Sequence, residues 1–322
     1  MKNLSKKNIP FRSFANAQDD NKRIDGKAIA EEIFQKLKHQ VILLKKKNIT
    51  PHLAIILVGD NPASVSYVQR KKLKAEEIGA KVTVLNYELG IKNNELLKTI
   101  EQLNKENNVH GIIIQRPLPP HIDNELMNQA VTTSKDIDAF HKETPFEMPL
   151  AKAAIMLLED VYSSCHPALD AGSSSLDSGS EAGMTRKKGM TFNEWLQSKK
   201  ITVIGKGETG GGPIITLLKK YKINPTIIDS KTKNPKKLTK ASDIIISAVG
   251  KQRVITSDML TKGVILISVG QHREDDGKFH GDYEETNIQD IASCYSPTPG
   301  GVGPVNVACL LENLLQAASS SF

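Results

Sequence analysis

Ile201-Thr202-Val203-Ile204-Gly205-Lys206-Gly207-Glu208-Thr209-Gly210-Gly211-Gly212-Pro213 is the stretch from which the rest of the chain can be read. Four β-branched residues running straight into a glycine-rich turn predict a short buried strand that opens into a helix. Glycines in such a turn let the backbone approach a pyrophosphate. The helix N-terminus adds N–H donors and the positive end of its dipole. A glycine pattern alone is weak, because a plain connector uses the same residues. Its place between strand and helix, with Asp229 closing the next predicted strand (Pro225–Asp229), favours a dinucleotide.

Working outward, Asp243–Val249 and Val264–Val269 are further apolar strands, a helix runs from about Pro149 to Tyr162, and a last helix covers Val305–Ala318. The same alternation fills the first half. Ile29, Ile33, Leu37, Val41 and Leu44 recur at helical spacing after Ile24-Asp25-Gly26-Lys27. Strand Leu53–Val58, helix Ser64–Ile78, strand Lys81–Tyr87, helix Asn94–Lys105 and strand Val109–Gln115 follow. Helices alternating with short all-apolar strands mean parallel βαβ units. The expected fold class is therefore α/β in two domains: 24–148, and a Rossmann-type domain over 149–304. Residues 1–23 have no apolar period and lack the roughly 7–15-residue apolar core of a secretory leader, so a disordered extension is expected. Ser163–Met190, rich in serine and glycine, reads as a flexible insertion in a surface loop.

Composition narrows the class. With 322 residues, 39% hydrophobic and 25% charged, the chain is an ordinary globular one with room for two domains. No window approaches the ~18 apolar residues of a membrane helix, so neither a span nor a membrane partner is expected, and the location is read as cytoplasmic. Three scattered cysteines, Cys165, Cys294 and Cys309, argue against a disulfide framework and against a bound metal. The net charge of +7 suits a polyanionic ligand or merely a basic surface.

Several residues could carry chemistry. Tyr67 and Lys71 stand i, i+4 on one predicted helix and share a face; alone, such a pair is more often a solvated surface pair. The turn Gly59-Asp60-Asn61-Pro62 leads into that helix from a strand end, where ligands bind in parallel sheets. Gln115-Arg116-Pro117-Leu118-Pro119-Pro120 leaves the next buried strand at the same edge, and a glutamine there can hydrogen-bond a lysine amine. Lys135-Asp136-Ile137-Asp138 brings two carboxylates nearby, or simply caps a turn. On the nucleotide side Asp229 would grip an unphosphorylated ribose, whereas Lys206, Ser230, Lys231 and Lys233 would suit a 2′-phosphate. The cations favour NADP, with NAD open. His272 and His280 read as surface-loop histidines, and Trp195 as packing for the start of the second domain.

Taken together, IDGK (24–27), VGDNPAS (58–64), YVQRKKLKAEEIG (67–79), VHGIIIQRPLPP (109–120), KDID (135–138), the glycine turn at 205, GDYEE (281–285) and SPTPGGVGPVNVA (296–308) resemble the FolD-type family of bifunctional methylenetetrahydrofolate dehydrogenase/cyclohydrolases. The resemblance implies a catalytic set of Lys71, Gln115 and Asp138, with Lys71 in proton transfer, Gln115 tuning it and Asp138 at the pterin edge. Tyr67 would stack on the aminobenzoate ring, and Pro117, Pro299 and Gly300 would line the folate pocket. Gly205, Lys206, Gly207, Asp229, Ser230, Gln271 and Asn306 would hold NADP. It further implies a final helix, 305–322, packed back on the first domain, a homodimer, and no nucleic-acid partner.

The implied chemistry is sound. Hydride transfer from a methylene carbon needs positioning more than a side chain. The resulting methenyl carbon is electrophilic, and water adds to it with a general base. A lysine serves as one in its neutral form, which burial or cations such as Arg70, Lys72 and Arg116 would favour.

Departures from the family cluster on the nucleotide side. Gly205-Lys206-Gly207 stands for Gly-Arg-Ser, Ser268-Val269-Gly270-Gln271-His272 for Asp-Val-Gly-Ile-Asn, and Asn306 for a threonine. Elsewhere Ala139 stands for a glycine and Met148-Pro149-Leu150-Ala151 for Pro-Cys-Thr-Pro. A cyclohydrolase without dehydrogenase, an NAD-preferring variant, and a non-catalytic folate- or nucleic-acid-binding protein are the rival readings.

Overall fold

The computed structural model describes residues 22–166, 190–274 and 277–320. Asp25 begins the first helix, its carboxylate accepting from the Ala28 N–H at 3.0 Å, and α1 runs Gly26–Lys46 with Ala30, Ile33, Leu37, Val41 and Leu44 buried. Then come β1 (His52–Val58), α2 (Pro62–Glu77), β2 (Lys81–Tyr87), α3 (Asn93–Lys105), β3 (Gly111–Ile114) and α4 (Asn124–Ala130). The three strands form a parallel sheet in the order β2-β1-β3. Along β1, Leu53, Ile55 and Leu57 enter one apolar cluster and Ala54, Ile56 and Val58 another. That alternation makes β1 apolar at every position: helices cover both faces of the sheet.

The connecting helix α5 spans Pro149–Cys165. The second half holds α6 (Phe192–Gln197), β4 (Ile201–Ile204), α7 (Gly211–Lys220), β5 (Thr226–Ile228), α8 (Pro235–Lys240), β6 (Ile244–Ser247), β7 (Ile265–Ser268), β8 (His272–Arg273), β9 (Phe279–His280), α9 (Glu285–Ile288), β10 (Cys294–Tyr295) and α10 (Val302–Ser319). Its main sheet is parallel, ordered β10-β7-β6-β4-β5, and β8 and β9 pair antiparallel as a separate hairpin.

α10 packs against α1 and α5 and joins both halves in one apolar cluster that includes Leu37, Leu157, Leu310 and Leu314. Truncating a buried leucine of this kind costs about 2–5 kcal/mol. Within that cluster, the Asn313 side chain donates to the carbonyls of Ile137 at 2.9 Å and Glu147 at 3.0 Å, fixing the helix against the first domain. Trp195 is buried beside Phe192 and Tyr162.

Three boundaries and several short elements differ from expectation. The connecting helix carries Ser163–Cys165 as its last turn, so the insertion begins later than its composition indicates; residues 167–189 lie outside the described residues. Residues 1–21 also lie outside them, yet Arg23 and Ile24 bridge onto the edge strand β10, Ile24 N–H donating to the Tyr295 carbonyl at 2.9 Å. An edge strand offers unpaired backbone groups, and Arg23 and Ile24 take them. The last helix starts three residues early, at Val302. The short α4, α6 and α8 and the β8–β9 hairpin carry too few residues for periodicity to show. Among the described residues no helix is long and apolar enough to cross a membrane.

Candidate active site

In the first sheet β1 is flanked by β2 and β3, so its connections part and leave a crevice at the carboxyl edge. There Gly59 turns with φ +79°, and Asn61 caps α2 by accepting from the N–H groups of Ala63 and Ser64. Lys71 is buried, 9% exposed, and its Nζ donates to Gln115 Oε1 at 3.2 Å. Gln115, 8% exposed, follows β3 and is anchored at both ends: its N–H donates to the Ile56 carbonyl and its Nε2 to the Arg116 carbonyl at 2.7 Å. With Nε2 engaged, Oε1 faces the lysine. The solvated-pair reading of Lys71 is thereby excluded.

The cations expected around Lys71 turn elsewhere. Arg70 lies 5.4 Å from the Phe279 ring, Lys72 pairs with Glu76 at 3.9 Å, and Arg116 stacks on Phe140 at 4.4 Å. Helical neighbours are rotated by about 100° from one another, which sends positions 70 and 72 off the face of position 71.

The two carboxylates of the 135–138 loop have separated roles. Lys135 Nζ donates to the carbonyls of Leu103, Asn104 and Glu106, closing the end of α3. Asp136, 4% exposed, accepts from the His141 N–H at 2.8 Å and the Phe140 N–H at 3.3 Å, and burial pushes its carboxyl up to about 6. Asp138 is half-buried, and no described residue donates a hydrogen bond to its side chain. Asp136 is thus committed to the loop, and Asp138 keeps its acceptor capacity. Ala139 holds φ +61° where a glycine would be unstrained.

In the second sheet β4 sits between β5 and β6, again a switch point. Gly205 turns there with φ +88°; a Cβ on it would lie 2.8 Å from the Ala248 carbonyl oxygen, and one on Gly211 only 1.9 Å from the Gly205 oxygen. A Cβ on Gly207 would meet nothing within 4 Å, so the turn is closed toward the sheet and open outward. Lys206 Nζ lies 2.8 Å from Asp229 Oδ2. That contact, with hydrogen bonds from the Lys231 N–H and Thr232 hydroxyl, holds the Asp229 carboxyl down to about 2. Ser230 is exposed beside it. Open backbone, the N-terminus of α7 and a lysine make a donor set that fits a dinucleotide pyrophosphate and ribose.

Contacts cross between the halves. The Tyr67 hydroxyl donates to Gln271 Oε1 at 2.9 Å, and Phe279 of the β8–β9 hairpin lies 5.8 Å from the Tyr67 ring. Asn128 Nδ2 donates to Glu208 Oε1 at 3.2 Å. Gly26 and Gly301 approach so closely that a Cβ on Gly26 would lie 1.9 Å from the Gly301 oxygen, which sets the start of α1 against that of α10.

Comparison with known proteins matches residues 24–138 to the tetrahydrofolate dehydrogenase/cyclohydrolase catalytic domain and residues 187–322 to the NAD(P)-binding domain of the same family. The chain belongs to that tetrahydrofolate dehydrogenase/cyclohydrolase family. It is 36% identical over 295 residues to the bifunctional protein FolD of Oceanobacillus iheyensis, covering 92% of this chain and 96% of that one. The crystal structure of the bifunctional FolD from Campylobacter jejuni superposes with a TM-score of 0.80 at 33% identity, over 93% of this chain and 99% of that one. The Trypanosoma brucei FolD, solved with NADP and an inhibitor, gives 0.77 at 26% identity, over 93% and 97%.

Against the tetrahydrofolate dehydrogenase/cyclohydrolase expectations, Lys71 pairs with Gln115 and Tyr67, one helical turn away, pairs with Gln271, while Gly205, Lys206 and Asp229 form a separate cluster. Pro117 and Pro299 are exposed and each follows a cis peptide bond; Gly300 has φ +112° and lies by Lys27. Asn306, half-buried in α10, hydrogen-bonds to neither cluster among the described residues.

Two features escape sequence reading. The hairpin of His272 and His280 is no free surface loop: His272 Nε2 meets Glu274 at 3.1 Å, and the hairpin's Phe279 docks on Tyr67. Fully buried Asp282 accepts from the Ser247 hydroxyl and the N–H groups of Val249, Gly250 and Lys251, fixing the loop after β6. Its only sequence signal is the GDYEE match, which does not reveal those donors. Among the described residues no group of three or more His, Cys, Asp or Glu could hold a metal ion.

Proposed function

We propose that this chain oxidises 5,10-methylenetetrahydrofolate to the 5,10-methenyl form with NADP, NAD serving as a second acceptor, and hydrolyses the product to 10-formyltetrahydrofolate. The observation that carries the reading is the buried Lys71–Gln115 contact of 3.2 Å at the carboxyl edge of a parallel sheet, one helical turn from Tyr67. A bound nicotinamide supplies the hydride acceptor. The protein's part in that step is placement, with Tyr67 stacking on the flat substrate and Asp138 accepting from its pterin edge.

Hydrolysis asks more of the side chains. Water adding to the methenyl carbon loses its protons while the bond from that carbon to N5 breaks and N5 takes one of them. Lys71 Nζ is the group held in place to relay them while Gln115 Oε1 aims the amine. Pro117, Pro299 and Gly300 complete the folate pocket. Gly205, Lys206, Gly207, Asp229, Ser230, Gln271 and Asn306 form the nucleotide site. The +7 charge complements an anionic glutamate tail. The active form is a cytoplasmic homodimer.

Purified protein assayed with methylenetetrahydrofolate and each nucleotide tests the reading. The expected result is nucleotide reduction followed by 10-formyl product. Hydrolysis of added methenyltetrahydrofolate with neither nucleotide reduced would leave a cyclohydrolase alone.

A further inference from the structure

Glu208 is the one acidic residue in the glycine turn Gly205–Gly210, the backbone that receives the pyrophosphate on the reading above. A free carboxylate there would repel phosphate oxygens, and its side chain is 56% exposed. Its position is set from the other domain. Glu208 Oε1 lies 3.2 Å from Asn128 Nδ2 and 3.8 Å from Arg116 Nη2.

Those two partners are rigidly held. Arg116 donates through Nη1 to Asn124 Oδ1 at 2.7 Å and through Nη2 to Asn128 Oδ1, and its guanidinium lies on the Phe140 ring. With Oδ1 accepting the hydrogen bond from Arg116, buried Asn128 turns its amide nitrogen toward Glu208. The cation and the amide are thus fixed in the first domain, and the acid of the second comes to them.

We propose that Arg116, acting with Asn128, is a positioning residue for nucleotide binding: it draws the Glu208 carboxylate aside and neutralises it, so that the glycine turn is free to take a pyrophosphate. This rests on the dinucleotide reading of the turn. In the free protein this pair, long at 3.8 Å and with Glu208 half in solvent, contributes little to stability. Its effect appears when the pyrophosphate arrives and an unneutralised Glu208 would oppose it. Affinity for the nucleotide then depends on a residue of the folate-binding domain, adjacent in sequence to Gln115, and by linkage nucleotide binding favours the approach of the two domains.

Calorimetric titration of the full chain with NAD and with NADP, in the wild type, Arg116→Met, Glu208→Gln and the double variant, tests the proposal. Arg116→Met should raise both dissociation constants by a similar factor, roughly tenfold, equivalent to about 1.4 kcal/mol. The loss should shrink at high salt. Glu208→Gln alone should bind as tightly as wild type or tighter, and in the Arg116→Met background it should restore near-wild-type affinity. A merely structural role for Arg116 would not be rescued by removing a charge on another domain.

Wild-type affinity in Arg116→Met, or no rescue in the double variant, overturns the proposal. If Arg116→Met does not fold, Glu208→Gln decides alone, with weaker binding overturning it. A wild type that binds neither nucleotide removes the dinucleotide reading itself, which is a separate outcome.

Discussion

In the first sheet β1 lies between β2 and β3, and in the second β4 lies between β5 and β6, so each half opens a crevice at the carboxyl edge of its opening strand. What fills the two crevices differs in kind. The first holds buried side chains, with Lys71 aimed at Gln115 and Gln115 fixed by its own backbone and its neighbour's carbonyl. The second is built of backbone, Gly205 and Gly211 packed too tightly for any Cβ, with Lys206 at 63% exposure as its charged partner. A side-chain site depends on residue identity at every position. A backbone site depends on glycine at the few close approaches and tolerates change around them, which is where this chain departs from the FolD pattern.

The largest effect expected from breaking that contrast is at Lys71. Lys71→Met should lower methenyltetrahydrofolate hydrolysis by about 10²–10⁴, while binding of a folate analogue, followed by calorimetry, persists. Loss of analogue binding as well would make Lys71 a binding group and erase the distinction.

Gly211→Ala is the backbone counterpart. Its Cβ would fall 1.9 Å from the Gly205 oxygen, a clash with main chain that only a shift of the turn relieves. A destabilisation of roughly 2–4 kcal/mol and loss of nucleotide binding are expected, with hydrolysis of added methenyltetrahydrofolate retained below the lowered melting temperature. Loss of both activities together would show that the two crevices do not act independently.

A smaller effect separates the two acids that shape these regions. Burial raises the Asp136 carboxyl from 3.8 to about 6, so within that window the folded chain holds a proton that the unfolded chain has released. Its contribution to stability is full below the lower value and is lost as pH rises through the upper one, on the order of 3 kcal/mol. Asp229, held near 2 by Lys206, stays ionised throughout. Urea midpoints measured from pH 4 to 6.5 should therefore show a component that falls with rising pH and disappears in Asp136→Asn. An unchanged slope in that variant would assign the component to other buried acids.

How far the sequence reached can be judged residue by residue. Strand Lys81–Tyr87 and the placing of Tyr67 and Lys71 one turn apart on a single helix were legible because period and spacing are local properties. So was the strand–turn–helix at 201–213, since glycines at close approaches leave a mark in composition. The surroundings of Lys71 were not legible. Arg70 and Lys72 flank it in sequence and Arg116 follows Gln115, yet Arg70 turns to Phe279 and Arg116 to Phe140, partners distant in the chain, while Lys72 turns along its own helix to Glu76. The hairpin at 272–280 misled for the same reason: two-residue strands have no period, and their burial comes from docking on α2.

By itself the amino-acid order determined the α/β class, the strand carrying each crevice and the residue types available there, because apolar periodicity and turn chemistry act over a few residues. Only the tertiary structure decided that Asp136 serves the loop while Asp138 keeps its acceptors, that Asp282 orders the loop after β6, and that Glu208 answers to Arg116 and Asn128 across the domain boundary. Hydrogen bonds and charge pairing depend on distance in space, and the chain brings these groups together from positions as far apart in sequence as Arg116 and Glu208.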